Sequence, residues 1–298
     1  MVAIVSGNSL GLDLTSLRTP GSQEFTGSAA HGRNGQGVYV NASNGNLVVQ
    51  GLDGLVVAKG GDIEALRTYN SQGLLDDDNQ DNWTNGFTPS PLRLTGVAGQ
   101  SGSVVWRTGR DGAVAKYEWA GAKLYRSTAG EGAHDTLELT DGDTRFAWKD
   151  GATDAMQLYE ASGSYRLLSS SDAEGNTVTY AYDARGRVVQ ALDADGHGTV
   201  YAYEGDNMTE MRTVGGGADL LRVKYQYDGG RLTRVSVDLS PDPVGTDTPM
   251  GDGDLYWTSY AYDTNSPHRL VAIRQKDGTN LDFSYTADGK VASVTDAL

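Results

Sequence analysis

The sequence predicts an all-β protein built as a strip of antiparallel β-hairpin repeats. Three observations carry that prediction. Aromatic-x-aromatic units recur through the second half of the chain, the composition leans to Gly, Tyr, Asp and Thr, and long helix-forming runs of Ala, Leu, Glu and Lys are missing.

Taken in chain order, residues 1–37 read as a partly irregular N-terminal segment, and residues 38–99 as a second unit with an acidic loop at 76–82. Residues 100–172 hold degenerate repeats. There Asp111-Gly112 precedes Tyr117-Glu118-Trp119 at the spacing that separates Asp277-Gly278 from Phe283-Ser284-Tyr285, and Asp141-Gly142 precedes Phe146-Ala147-Trp148 at one residue less. Residues 173–298 hold the clear repeats, at Tyr180-Ala181-Tyr182, Tyr201-Ala202-Tyr203, Tyr225-Gln226-Tyr227, Tyr260-Ala261-Tyr262 and Phe283-Ser284-Tyr285. The steps between the second aromatics are 21, 24, 35 and 23 residues, and the long step carries an insertion at about 238–254 whose Pro, Gly and Asp content reads as a surface loop.

Each unit makes sense as a hairpin. Aromatics at i and i+2 share one face of a strand, a reverse turn follows at Asp-x-x-Gly, and a second strand continues with alternating apolar residues, as in Arg187-Val188-Val189-Gln190-Ala191. The Asp can accept from backbone N–H groups further along, and the Gly takes the positive φ that other residues resist. A hairpin that cannot bury its own face gains stability from its neighbours, so the aromatics are expected to form the stacking seam of a continuous sheet.

At these residues the sequence resembles the Rhs or YD-repeat family, whose repeat reads approximately Gly-x-x-x-x-Tyr-x-Tyr-Asp-x-x-Gly-Arg-Leu, and Gly175 to Val188 matches almost throughout. Val38 to Asn41, Gly45 to Val49 and Leu66 to Ser71 resemble the lead-in to the Rhs core of bacterial proteins. The resemblance implies a spiral strip of hairpins forming an open arc of a β-shell that encloses a C-terminal toxic domain. It further implies a secreted or cell-surface protein that is part of delivery or bacterial competition, with the remainder of the shell and a toxin domain as partners. The family carries its Asp-Pro-x-Gly-type cleavage motif at the C-terminal end of the shell. This chain stops in mid-repeat at Asp296-Ala297-Leu298 without one there, and Asp242-Pro243-Val244-Gly245 stands in the insertion instead, so no protease or toxin role is carried over to any residue, and the chain is read as a fragment or a truncated member.

Composition narrows the partners. Lys plus Arg number 24 against 39 Asp plus Glu, a net charge of -15, and no basic cluster offsets it, so nucleic acid is not an expected partner. The absence of cysteine removes disulfides, Cys-ligated metals and Cys nucleophiles. No window has the ~18 apolar residues of a membrane span, and the N-terminus carries no recognisable signal peptide.

The expectation is a non-enzymatic module without a cofactor. Gly7-Asn8-Ser9-Leu10-Gly11 fits a nucleophile-elbow pattern, but without the flanking strand and helix or a placeable His. His31, His134, His197 and His268 are scattered. Two binding readings accompany the structural one. Asp77, Asn79 and Asp81 alternate as the first ligands of a calcium loop do, although Asn82 and Thr88 stand where such a loop wants Gly and Glu. Tyr180, Tyr182, Tyr201, Tyr203, Tyr225 and Tyr227, if their ring faces were exposed, could stack on sugar rings in a carbohydrate-binding or adhesive surface protein; packed between hairpins, they would be the seam.

Overall fold

The structure is a computed structural model of the 298-residue chain. It describes residues 2–5, 30–31, 36–56, 59, 63–72, 81–85, 90–109, 114–129, 134–215, 218–238 and 255–297. Among them the regular structure is strand throughout apart from one 3-10 turn at Asp141–Asp143, and no helix is long and apolar enough to cross a membrane.

Two sheets divide the strands. The first has six: β1 (Ala3–Val5), β2 (Ala30–His31), β3 (Gln36–Asn41), β4 (Leu47–Val56), β5 (Ile63–Asn70) and β6 (Trp83–Asn85). Its order is β1-β3-β4-β5-β6, with β2 also on β3; β1 runs parallel to β3 and the other pairs are antiparallel.

The second sheet is the expected strip. It comprises β7 (Arg93–Thr95), β8 (Val104–Thr108), β9 (Val114–Gly121), β10 (Leu124–Ala129), β11 (Thr136–Thr140), β12 (Arg145–Lys149), β13 (Met156–Glu160), β14 (Leu167–Ser171) and β15 (Thr177–Tyr182). It continues through β16 (Val188–Leu192), β17 (Gly198–Glu204), β18 (Asn207–Gly215), β19 (Ala218–Asp228), β20 (Arg231–Asp238), β21 (Leu255–Tyr262), β22 (Leu270–Gln275), β23 (Asn280–Tyr285) and β24 (Val291–Ala297). Every strand pairs antiparallel with the next along the chain, and the order of the sheet brings β24 back beside β7. Among the described residues no hydrogen-bond register joins those two ends, so the ladder is an open arc of hairpins.

The turns follow the chemistry read from the sequence. At Asp183-Ala184-Arg185-Gly186-Arg187 the Asp183 carboxylate accepts from Arg185 N at 2.9 Å and Arg187 N at 3.0 Å, and Gly186, at φ 85°, donates its N–H to the Asp183 carbonyl. In these hairpins the second strand carries one extra residue, a bulge, with Val189 standing opposite the step from Ala181 to Tyr182. The register shift falls between Ala181 and Tyr182, and the same shift stands before Tyr203, Tyr227, Tyr262 and Tyr285.

Two apolar cores result. One lies within β7 to β14 around Val105, Tyr117, Tyr125, Leu137, Phe146 and Leu167. The other joins the six-stranded sheet, through Val38, Leu47, Val49, Tyr69 and Trp83, to the face of β15 to β24 that carries Val188, Tyr201, Met211, Tyr225 and Ile273. The N-terminal sheet therefore covers the clear repeats, and Tyr180 borders both cores.

Candidate functional site

In each clear repeat the first aromatic of the pair points into the core, the middle residue is exposed, and the second aromatic is half-buried at the bulge. The bulge lies on the partner strand opposite the second aromatic, and that tyrosine reaches the preceding hairpin. Tyr182, Tyr203 and Tyr285 donate their hydroxyls to the carbonyls of Leu167, Val188 and Leu270, each 15 residues earlier, and Tyr262 reaches Leu232, 30 residues earlier across the insertion. The acceptor always follows an arginine whose guanidinium covers the same ring, at 4.7 Å for Arg166 on Tyr182, 4.5 Å for Arg187 on Tyr203, 5.7 Å for Arg231 on Tyr262 and 5.5 Å for Arg269 on Tyr285. One hydrogen bond and one cation–π contact thus tie each of these hairpins to an earlier one. Tyr203→Phe keeps the ring and removes the bond, and should lower stability by about 1 kcal/mol, measured as a shift of the urea midpoint at unchanged slope.

The residue after that arginine, or after the corresponding Lys290, is also where the N-terminal sheet engages the strip. Leu232 N donates to the Asp81 carboxylate at 2.9 Å, Leu270 N to the Tyr69 hydroxyl at 3.0 Å, and Val291 N to the Gly45 carbonyl at 2.9 Å. Three unlike acceptors meet the same backbone position in three successive hairpins. Trp83 adds a fourth contact, its Nε1 donating to the Tyr262 hydroxyl at 2.8 Å.

A buried ion pair lies inside this seam. Arg67 of β5 binds Asp53 of β4 through Nε and Nη2, both at 2.9 Å, and its Nη1 donates to the Tyr260 hydroxyl at 2.7 Å. Tyr225 donates to Asp53 at 2.9 Å, and the guanidinium lies over the rings of Trp83 and Tyr260. Arg67 is 2% exposed and Asp53 8%. Burial works against the Arg67 charge, but the Asp53 carboxylate and the Tyr260 and Tyr225 phenols together outweigh it and hold the guanidinium protonated. Burial likewise pushes the Tyr225 and Tyr260 phenols up, so both stay neutral donors or acceptors.

The sequence-predicted binding residues fall as follows. Of the six tyrosines, Tyr201 and Tyr225 are buried and Tyr180, Tyr182, Tyr203 and Tyr227 half-buried. Tyr201 and Tyr225 offer no exposed ring face for sugar stacking, and the four half-buried rings pack against the core beneath them. Asp77 and Asn79 lie outside the described residues, as does Gly7 to Gly11. Asp81 is buried at 1%, and its two oxygens accept from Trp83 N and Leu232 N. Among the described residues no three His, Cys, Asp or Glu side chains are placed to hold a metal ion.

Two turn carboxylates, Asp183 and Asp193, are held below their ordinary range. For Asp183 the Arg187 hydrogen bond is the main cause. For Asp193 burial acts upward, but donation from the backbones of His197, Lys59 and Asp195 outweighs it. A depressed carboxylate stabilises the fold above its unfolded pKa of about 4 and loses that contribution as the pH falls through the lower folded value. Stability should therefore be flat through neutrality and decline below about pH 4, and Asp183→Asn should shrink the decline in an acid titration followed by circular dichroism.

Residues 159–199 match the family profile described as RHS Repeat, which spans β13 to the start of β17. No curated protein sequence matches the chain. Among solved structures, TcdB2-TccC3 without its hypervariable C-terminal region aligns over 84% of this chain and 15% of its own at 12% identity and TM-score 0.30. A Tc holotoxin pore of Photorhabdus luminescens aligns over the same shares at 13% identity and TM-score 0.30. TcdB2-TccC3-Cdc42 does so at 11% and 0.29. The chain thus spans 15% of the length of these proteins.

Proposed function

From the premise that the chain carries RHS repeats, we propose that it is a wall segment of a larger shell that encloses or presents a toxin for delivery or competition between cells. The observation that carries this reading is the fourfold tyrosine-to-carbonyl tie. Those aromatics and their arginines are spent on joining hairpin to hairpin, which is what a wall requires and a ligand-gripping surface does not. The N-terminal sheet serves as a brace that holds the curvature of β15 to β24 through the buried Asp53–Arg67 pair and the three backbone contacts.

The test is made in the producing bacterium. Deleting residues 93–297 from the gene should abolish killing of a competitor strain and render any polypeptide that co-purifies with the protein sensitive to protease. Unchanged killing, with no cargo made protease-sensitive, would overturn the shell reading.

A further inference from the structure

The core-facing row of the degenerate repeats contains a charged residue. Arg107 of β8 follows Val105 on the inward face and pairs with Ala115 of β9, and its guanidinium lies 3.7 Å from the centre of the Trp148 ring. Its Nε and Nη2 both donate to one neutral acceptor, the Gln157 Oε1, at 3.2 and 3.0 Å. Tyr159 donates to the same oxygen at 2.7 Å. Three donors on Oε1 fix the orientation of the amide, and the Gln157 Nε2 has no hydrogen-bond partner among the described residues, while the guanidinium also interacts with the Tyr159 side chain. No carboxylate forms an ion pair with Arg107 among those residues. The nearest acid in the group, Asp135, is engaged by Gly151 N at 2.9 Å and by the Tyr117 hydroxyl at 3.5 Å, and Tyr117 in turn accepts from Trp148 Nε1 at 2.9 Å.

A cation set among aromatic side chains, ion-paired with no carboxylate among the described residues and flanked by an unspent amide donor, is suited to an anion. We propose that Arg107 and Gln157 form a carboxylate-binding site on the inner face of the degenerate repeats. Nη1 of Arg107 and Nε2 of Gln157 are the two donors it offers, and the acidic side chain of a polypeptide is its ligand class. Two N–H groups of a guanidinium and an amide suit the paired oxygens of a carboxylate better than a single hydroxyl. The inference rests on this geometry alone and holds whether or not the protein belongs to a toxin shell.

Acetate is the probe and tryptophan fluorescence the readout, since Trp148 lies directly beneath Arg107. A saturable change is expected across the millimolar range, and Arg107→Met should weaken it at least about tenfold, the loss of a charge-assisted contact. Gln157→Glu places a carboxylate of the protein's own beside Arg107; it should abolish the acetate response and raise the unfolding midpoint. Asp135→Asn removes a like charge and should tighten acetate binding about two- to fivefold. No saturable response in the unmodified protein would overturn the proposal. So would a response that survives Gln157→Glu, or one that Asp135→Asn weakens.

Discussion

Arg67→Met is expected to be the most damaging single substitution in the seam, lowering stability by about 3–5 kcal/mol. It would leave Asp53, 8% exposed, with Tyr225 as its remaining side-chain donor. The penalty comes from an uncompensated buried charge, and against a typical total of ~5–15 kcal/mol it threatens the fold itself. Two comparisons separate this cause from loss of packing. The double variant Asp53→Leu with Arg67→Met removes both charges and should recover most of the loss, because an apolar pair of similar volume needs no desolvation. Lys123 and Asp143, 2.6 Å apart but each half-exposed, should tolerate Lys123→Met at a cost of roughly 0–1 kcal/mol. Urea midpoints of the variants decide the matter. If Arg67→Met moved the midpoint no more than Lys123→Met, the N-terminal sheet would not depend on the buried pair.

Gly198→Ala should cost about 3 kcal/mol or more, whereas Gly196→Ala, two residues away, should cost only about 1 kcal/mol. The two glycines are present for different reasons. Gly196 sits in the turn at φ 81°, where a Cβ would meet nothing within 4 Å, so its substitution carries only the strain of a left-handed backbone. Gly198 opens β17 between Leu192 and Val214 in neighbouring strands, and a Cβ there would come within 2.0 Å of the Ala191 carbonyl oxygen. Backbone cannot move aside as a side chain can, so the ladder between β16 and β17 would have to part. Thermal unfolding of both variants checks the contrast, and equal shifts would show that crowding at Gly198 is relieved elsewhere.

Much of the repeat was legible in the sequence because its causes are local. Asp183 and Gly186 are three residues apart and set their own turn, and the alternation of Tyr180, Ala181 and Tyr182 already separates inward from outward positions. The arginine that follows the turn could have been found the same way. Arg166, Arg187 and Arg269 each stand 16 residues before the tyrosine they cover, a spacing as regular as the aromatic pairs themselves. Periodicity assigns the six tyrosines to a face without saying what covers it, and the structure buries Tyr201 and Tyr225 while leaving the other four half-buried.

The sequence by itself determined the hairpins, their turns and their order along one strip, since each depends on residues within about 15 positions of one another. The tertiary structure alone decided the brace. Asp53, Arg67, Tyr225 and Tyr260 come together across as many as 193 residues, and Asp81 reaches Leu232 across 151. No local pattern marks Asp53 or Arg67, each one polar residue among others on its strand. They are brought together because the apolar face of the N-terminal sheet and the open aromatic face of β15 to β24 each lack a cover, and burying both against one another requires every polar group caught between them to find its partner there.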